Sequence, residues 1–204
     1  MTLKIHGIPR ARAFRNLWTA EEAGVPYESI ATNFTDDVKA PAFLAINPNA
    51  RIPAIEDGGF VLWESLAINL YIAKRYAAGT LYPKSLEDEA RTWQWSLWAA
   101  NEIEKALIDL VFNRVIHPPE KRDEALAKAS EEKLPRPFGV LDAHLARSSY
   151  LLGDVFSIAD LNVAGVMYGS WFNKVDYSRW PHVKAWLECC FSRPAALRAR
   201  KLRE

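Results

Sequence analysis

NPNARIPAIEDGGFVLWES, residues Asn47 to Ser65, reads as two strands joined by a tight turn and then a helix start. Pro53 keeps the residue before it extended and opens the first strand with a backbone edge able to pair. Asp57-Gly58-Gly59 separates IPAIED from VLWES and carries the hairpin signal. Glu64-Ser65 then begins a helix. A hydroxyl and free N–H groups at a helix N-terminus suit a carboxylate, and the Glu64 side chain suits an ammonium. Together they match the zwitterionic end of an amino acid, with an extended peptide lying along the Ile52 edge. On these residues alone, a plain helix cap after a hairpin is the favoured account of Ser65.

Upstream, LKIHGI (Leu3–Ile8) is an alternating strand ended by Pro9. Ala13–Gly24 carries Phe14, Leu17 and Trp18 at helical spacing and closes on Gly24. Tyr27–Asn33 alternates again, and Ala40–Pro48 is a short helix stopped by proline. With a helix from Ser65 to Ala77 the order is β-α-β-α-β-β-α. His6 falls on the first strand as a core histidine, and Tyr27 is a packing residue.

A Gly/Pro-punctuated linker follows, and beyond Glu87 the pattern is helical. Asp88–Ile116 carries two apolar rows, Trp93, Leu97, Ala100 and Leu107 on one and Trp95, Trp98, Ile103, Ala106 and Leu110 on the other. Such a helix is expected to pack from two sides at the centre of its domain. The tryptophans Trp93, Trp95 and Trp98 belong to core and interface rather than to a substrate pocket. HPPE breaks this helix, and Pro135 and Pro137 are expected to kink or split the next one, Glu120–Arg147. The predicted fold class is α/β plus all-α, with residues 1–78 as the small α/β domain, 79–87 as linker and 88–204 as an all-helical domain.

GDVFSIADL (Gly153–Leu161) is a folding signal. Ser157 is placed as an N-cap with Asp160 at the capping-box spacing, and Phe156 and Leu161 are placed as a hydrophobic staple. HGIPRARAFRN (His6–Asn16) puts Arg10, Arg12 and Arg15 where a strand hands over to a helix, a position that collects anions.

The composition narrows the function classes. Lys plus Arg (26) nearly balances Asp plus Glu (25), for a net charge of +1, which gives no reason to expect nucleic-acid or anionic-membrane partners. No apolar run approaches the ~18 residues of a membrane span, and the first residues lack a signal-peptide core. The two cysteines are neighbours, Cys189 and Cys190. A bridge between them is strained, so reduced thiols and a cytoplasmic location are expected. There is no CxxC and the four histidines are scattered, so neither a dithiol site nor a metal site is predicted.

The motifs and domain order resemble the soluble (cytosolic) glutathione S-transferase family, bacterial-type, over essentially the whole chain. The pattern NP…(K/R)(V/I)PA(L/I)…DG…L.ES.AI..Y(L/I) matches from Asn47 to Ile72, and G..(S/T).AD matches Gly153, Ser157 and Asp160. WPHVKAWLECCFSRPA resembles the family's penultimate helix. The resemblance implies a thioredoxin-like N-terminal domain with Pro53 in a cis peptide, followed by an all-helical C-terminal domain. It implies that Glu64 and Ser65 grip the γ-glutamyl end of glutathione, that Ile52 pairs its backbone with the cysteinyl residue, and that Arg51 reaches the glycyl carboxylate. It further implies a homodimer across the helices matching Ser65–Ala77 and Asp88–Arg114, a role in detoxification, and a second-substrate pocket lined by Arg10, Arg12, Phe34, Lys105 and Phe112.

The implied chemistry is activation of the glutathione thiol, whose free pKa near ~8.5 leaves only a few per cent ionised at neutral pH. Bacterial-looking relatives read G.PRSRS.R here, with a hydroxyl between the arginines. This chain has Ala11 and Ala13 at those serine positions. One reading is a transferase whose thiolate is stabilised by backbone N–H groups around Ala11, assisted by Arg10 and Arg12. A second is another glutathione-dependent enzyme, such as an isomerase, a reductive dehalogenase or an ether-cleaving enzyme. A third is a binding, regulatory or carrier protein that keeps the pocket with little turnover.

Overall fold

Leu3–His6 (β1) and Tyr27–Ile30 (β2) pair in parallel, with Leu3 opposite Tyr27. Ala54–Asp57 (β3) runs antiparallel to β1, with Ile5 opposite Ile55, and Phe60–Trp63 (β4) runs antiparallel to β3. The sheet order is β2-β1-β3-β4. Only the β1–β2 pair needs a crossover, and Ala13–Ala23 (α1) supplies it. The computed structural model describes residues 2–203; Met1 and Glu204, at the outer ends of the expected domains, lie outside the described residues.

The local reasons match the sequence pattern. α1 is buried from Ala13 to Ala20 and closes on Gly24, left-handed at φ 63, with the Val25 N–H donating back to the Ala20 carbonyl. Gly58 (φ 61) and Gly59 (φ 89) form the two-residue hairpin turn, which requires positive φ at both positions. Two expectations were too long. The strand expected over 27–33 stops at Ile30, because Asn33 Oδ1 accepts from the Thr35 and Asp36 N–H groups and turns the chain. The helix expected over 40–48 is one turn, Pro41–Leu44 (α2), after a 3-10 turn at Asp37–Lys39. Buried Asn47 then organises the loop, donating to the Arg51 carbonyl and accepting from Asn49.

Ser65–Tyr76 (α3) packs against α1. Its far end is anchored on buried Asp57, which accepts from the Tyr71 and Tyr76 hydroxyls (2.8 and 2.7 Å) and pairs with Arg75. Burial alone pushes the Asp57 carboxyl up; the two phenol hydrogen bonds and the Arg75 charge more than offset it and hold it below the usual carboxylate range.

The chain groups into two units, one running up to Ser85 and resuming at Phe191, the other Leu86–Cys190. The division drawn from sequence put everything after residue 88 in the helical domain and so differs at its far end. Pro194–Lys201 (α10) lies along α1, where Arg193 makes a two-pronged contact with Glu22 (2.7 and 2.8 Å), Arg198 pairs with Glu21, and Phe191 meets the Trp18 ring.

In the second unit Leu86–Trp98 (α4) runs through a π-helical turn, Ala99–Glu104, into Lys105–Val111 (α5) and a second π turn, Phe112–Ile116. Trp95, Ile103, Ala106 and Leu110 are buried as expected. The other row departs from expectation: Leu107 is buried, but Trp93 and Leu97 are 49% and 63% exposed, so within this chain the helix is covered mainly on one side. Glu124–Glu131 (α6) is capped by Asp123, and Pro135–Leu145 (α7) starts on proline, so the long helix expected over 120–147 is split there.

Ile158–Phe172 (α8) begins with the expected capping box, and Pro181–Ser192 (α9) follows it. Asp160 does more than cap. One carboxylate oxygen accepts the Ser157 N–H and hydroxyl (3.0 and 2.9 Å), and the other accepts the Leu151 N–H and the Trp186 indole N–H (2.9 and 3.0 Å). Burial pushes its carboxyl up while these four donors favour the charged form.

Candidate functional site

Gly7 brings the two expected halves of the site together. It leaves β1 at φ 145, and a Cβ there would lie 2.8 Å from Ala13 Cβ and 3.4 Å from Ile52 Cβ. The start of α1 and the residue before Pro53 therefore close on a position that only a bare backbone fits. From Gly7 the chain coils through a turn, with Ala11 N–H donating to the Ile8 carbonyl and Phe14 N–H to the Ala11 carbonyl, and α1 begins. Ala11 is half-buried and Ala13 buried, and neither side chain carries a donor. The first turn of α1 holds no acidic residue, so no carboxylate there offsets the positive end of the helix.

The expected cations do not all turn the same way. Arg12 is the exposed residue ahead of α1, with no side-chain capping bond. Arg10 is exposed and its Nε donates to the Arg203 carbonyl at 3.0 Å.

At the other end, Ser65 is the first residue of α3 and only 4% exposed. Its neighbours on α1 hold it from both sides. Arg15 Nη1 donates to Ser65 Oγ at 3.1 Å, while Asn16 Nδ2 donates to the Ser65 carbonyl at 2.8 Å and to Asn69 Oδ1 at 2.6 Å. A hydroxyl has one hydrogen to give, and with a guanidinium behind the oxygen that hydrogen points away from Arg15. Glu64 is exposed at φ 75 and ψ 112, with its carbonyl already accepting the Ile68 N–H. A non-glycine residue held at positive φ costs about 1–3 kcal/mol.

Arg51 is exposed, Ile52 half-buried and Pro53 buried, and the Ile52–Pro53 peptide is cis, as the resemblance implied. β3 is paired on both sides from Ala54 onward, so a backbone edge for a ligand falls ahead of it, where Ile52 lies. Phe34 stands on a loop of the first unit, 65% exposed. Lys105 and Phe112 belong to the second unit, where Lys105 pairs with Asp109 one turn on and Phe112 meets His117 edge-on. His6 is the core histidine expected, buried and bonded to Glu56 at 2.9 Å, and Tyr27 donates to Glu21.

Sequence reasoning noted Arg15 only as one of three arginines and missed its contact with Ser65. The available signal was its place in a helix stretch where Phe14, Leu17 and Trp18 already claim the core, so that a charged residue between them has to be partnered inside.

The sheet order β2-β1-β3-β4 with α1 as the crossover and α3 packed against it gives a thioredoxin-like unit, and the chain continues into a helical unit. The family description "Glutathione S-transferase, N-terminal domain" matches residues 1–74 and "Glutathione S-transferase, C-terminal domain" matches residues 104–194. The probable glutathione S-transferase GSTF2 of Oryza sativa subsp. japonica is 35% identical over 188 residues, covering 89% of this chain and 87% of that protein. Glutathione S-transferase GstB of Escherichia coli (strain K12) is 32% identical over 182 residues, 88% of each chain. The theta class glutathione S-transferase of Xanthomonas axonopodis pv. citri, solved with glutathione bound, superposes with a TM-score of 0.90 at 33% identity, over 97% of this chain and 96% of that one. The chain belongs to the glutathione S-transferase family, enzymes that use glutathione as co-substrate.

Proposed function

We propose that this glutathione transferase holds glutathione through Arg51, Ile52, Pro53, Glu64 and Ser65 and passes its thiolate to a small hydrophobic electrophile. Residues 1–78 act as the glutathione-binding part, and residues 88–204 contribute to the electrophile site. The observation that carries this reading is the start of α3, where a buried Ser65 hydroxyl backed by Arg15 sits beside an exposed Glu64 at positive φ. The hydroxyl and first N–H groups of α3 suit the γ-glutamyl carboxylate, and the Glu64 carboxylate suits its ammonium. A peptide lying from there along Ile52 brings its cysteinyl residue toward the start of α1, because Ile52 and Ala13 meet at Gly7.

With alanines at positions 11 and 13, the thiolate is stabilised by the N–H groups at the start of α1 together with Arg10 and Arg12. A helix N-terminus contributes about 0.3–1 kcal/mol to an anion at an exposed site and up to ~2 kcal/mol when partly buried. At about 1.4 kcal/mol per pKa unit, that is enough to raise the thiolate fraction severalfold at neutral pH. The exposed row Trp93 and Leu97, and separately Phe60, Val61 and Trp63 on β4, favour a homodimer, to be read as twice the chain mass of 23.1 kDa by light scattering. Cys189 and Cys190 are not joined in a disulfide, which suits the reducing cytoplasm.

Titration calorimetry with glutathione, followed by turnover assays on chlorinated nitroaromatics, isothiocyanates and epoxides, tests the reading. Saturable binding with glutathione-dependent turnover is expected, and no binding overturns it. Ala11 and Ala13 favour one second reading, a carrier or regulatory protein. If A11S creates activity where the wild type binds glutathione without turnover, that second reading holds.

A further inference from the structure

We infer that Arg10 selects the electrophile, favouring a hydrophobic substrate that carries an ionised acid group, a carboxylate or sulfonate, away from its reacting carbon. The inference rests on the reading that the glutathione sulfur lies at the start of α1, and it names the substrate class for that site. Residues 8–12 form a short turn closed at its base, where a Cβ on Gly7 would lie 2.8 Å from Ala13 Cβ. Within the turn Ala11 N–H donates to the Ile8 carbonyl, and the Pro9 carbonyl accepts Arg203 Nη1 at 2.7 Å. Arg10 stands exposed at the crown of this turn.

The Arg10 side chain is held at one atom. Its Nε donates to the Arg203 carbonyl at 3.0 Å, a neutral acceptor that leaves the Arg10 charge in place. With Nε committed, the side-on approach through Nε and one Nη is closed. The end-on pair, Nη1 and Nη2, takes no partner among the described residues. That planar fork matches two oxygens of a carboxylate or sulfonate. No acid competes for it from the adjoining sequence, since residues 2–20 and 189–203 hold neither Asp nor Glu. Glu21 and Glu22, the next acids along the chain, pair with Arg198 and Arg193. The half-buried Ala11 beside Arg10 offers apolar contact in place of a competing hydroxyl.

Two chlorinated nitroaromatics test this, 4-chloro-3-nitrobenzoate and its neutral counterpart 4-chloro-3-nitrobenzamide. In both, the glutathione thiolate forms a carbon–sulfur bond at the chlorine-bearing carbon and chloride leaves with the bonding electrons. Each kcat/KM is divided by the rate constant of the same compound with free glutathione, so intrinsic reactivity drops out. The wild type should favour the acid by roughly three- to fivefold, the range of an exposed ion pair. R10Q should bring the ratio to about one, and R10K, which keeps the charge and loses the fork, should fall between. Whatever Arg10 does for the thiolate acts on both compounds alike and cancels in the ratio. A wild-type ratio of one or below overturns the inference, and so does an unchanged ratio in an R10Q shown by thermal melts to be folded. Turnover of neither compound by a protein that binds glutathione overturns it too. Weaker glutathione binding by R10Q in calorimetry would give the fork to the co-substrate's own carboxylate and likewise overturn it. A wild type that binds no glutathione overturns the underlying reading, and the inference with it.

Discussion

Two helices of this protein start on a buried serine with an acidic residue close by, and they differ in where those groups are turned. At α8 the box is closed. Ser157 gives both its N–H and its hydroxyl to Asp160, and the second carboxylate oxygen is filled by Leu151 and Trp186. At α3 the box is open. The acid, Glu64, precedes the serine, stands exposed at φ 75 and makes no capping bond, while Ser65 has a guanidinium behind its oxygen. A closed start spends its polar groups on the fold. The start of α3 instead sets a serine held by Arg15 and Asn16 beside an exposed Glu64 at positive φ, which carries a cost in backbone strain.

Breaking the closed start gives the largest expected effect. D160A leaves four buried donors without their acceptor and should destabilise by roughly 3–5 kcal/mol, read by chemical denaturation, with S157A nearer about 0.5–2 kcal/mol. Glutathione affinity of the folded fraction should be unchanged in both. At the open start the ordering reverses. S65A removes a hydrogen bond to a charged group, worth about 1.5–3 kcal/mol, so glutathione should bind at least tenfold more weakly, and the free protein should lose some stability as well because the buried Arg15 guanidinium gives up an acceptor. An unchanged glutathione affinity in S65A would erase the distinction.

E64G sharpens the comparison further. Glycine relieves the positive φ, so the free protein should become more stable by about 1 kcal/mol, yet glutathione binding should fall because the ammonium loses its partner. A variant that is less stable than the wild type would show that Glu64 serves the fold after all. The smallest effect lies at α9, whose first N–H groups, those of His182 and Val183, are accepted by Asp142 from α7. Burial pushes the Asp142 carboxyl up, but those hydrogen bonds and His182 outweigh it and hold it below the ordinary carboxylate value. A carboxyl depressed by folding contributes stability above the unfolded value of about 3.9 and loses it as pH falls through the folded value. D142N should therefore melt earlier than the wild type near neutral pH, by less than about 1 kcal/mol, and the gap should close below pH ~4. A gap that persists in acid would assign the effect to packing.

Much of the fold was legible because its signals are local. Gly58 and Gly59 declare the hairpin, Gly24 ends α1, Pro135 splits the helix after the long one, and Ser157 with Asp160 marks the start of α8. Where a long-range contact decides, the sequence misled or stayed silent. Trp93 and Leu97 share a helical row with core residues, and nothing local says that their side of α4 is left open. α10 looks like the tail of the helical domain until Arg193 and Arg198 are seen on Glu22 and Glu21. At the site, Glu64-Ser65 and Ile52-Pro53 were readable because turn, cap and ligand chemistry coincide within twenty residues. Arg15 on Ser65 and Arg203 on Pro9 were not, since each meets its partner only after the chain has folded back.

A crystal structure of the complex with glutathione puts the open start of α3 to the proof. The γ-glutamyl carboxylate should accept the Ser65 hydroxyl and the first N–H groups of α3, with its ammonium on Glu64 and the sulfur at the start of α1 beyond Gly7. A carboxylate bound elsewhere, with Ser65 still turned to its own helix, would make α3 a second closed start and contradict its assignment as the ligand site.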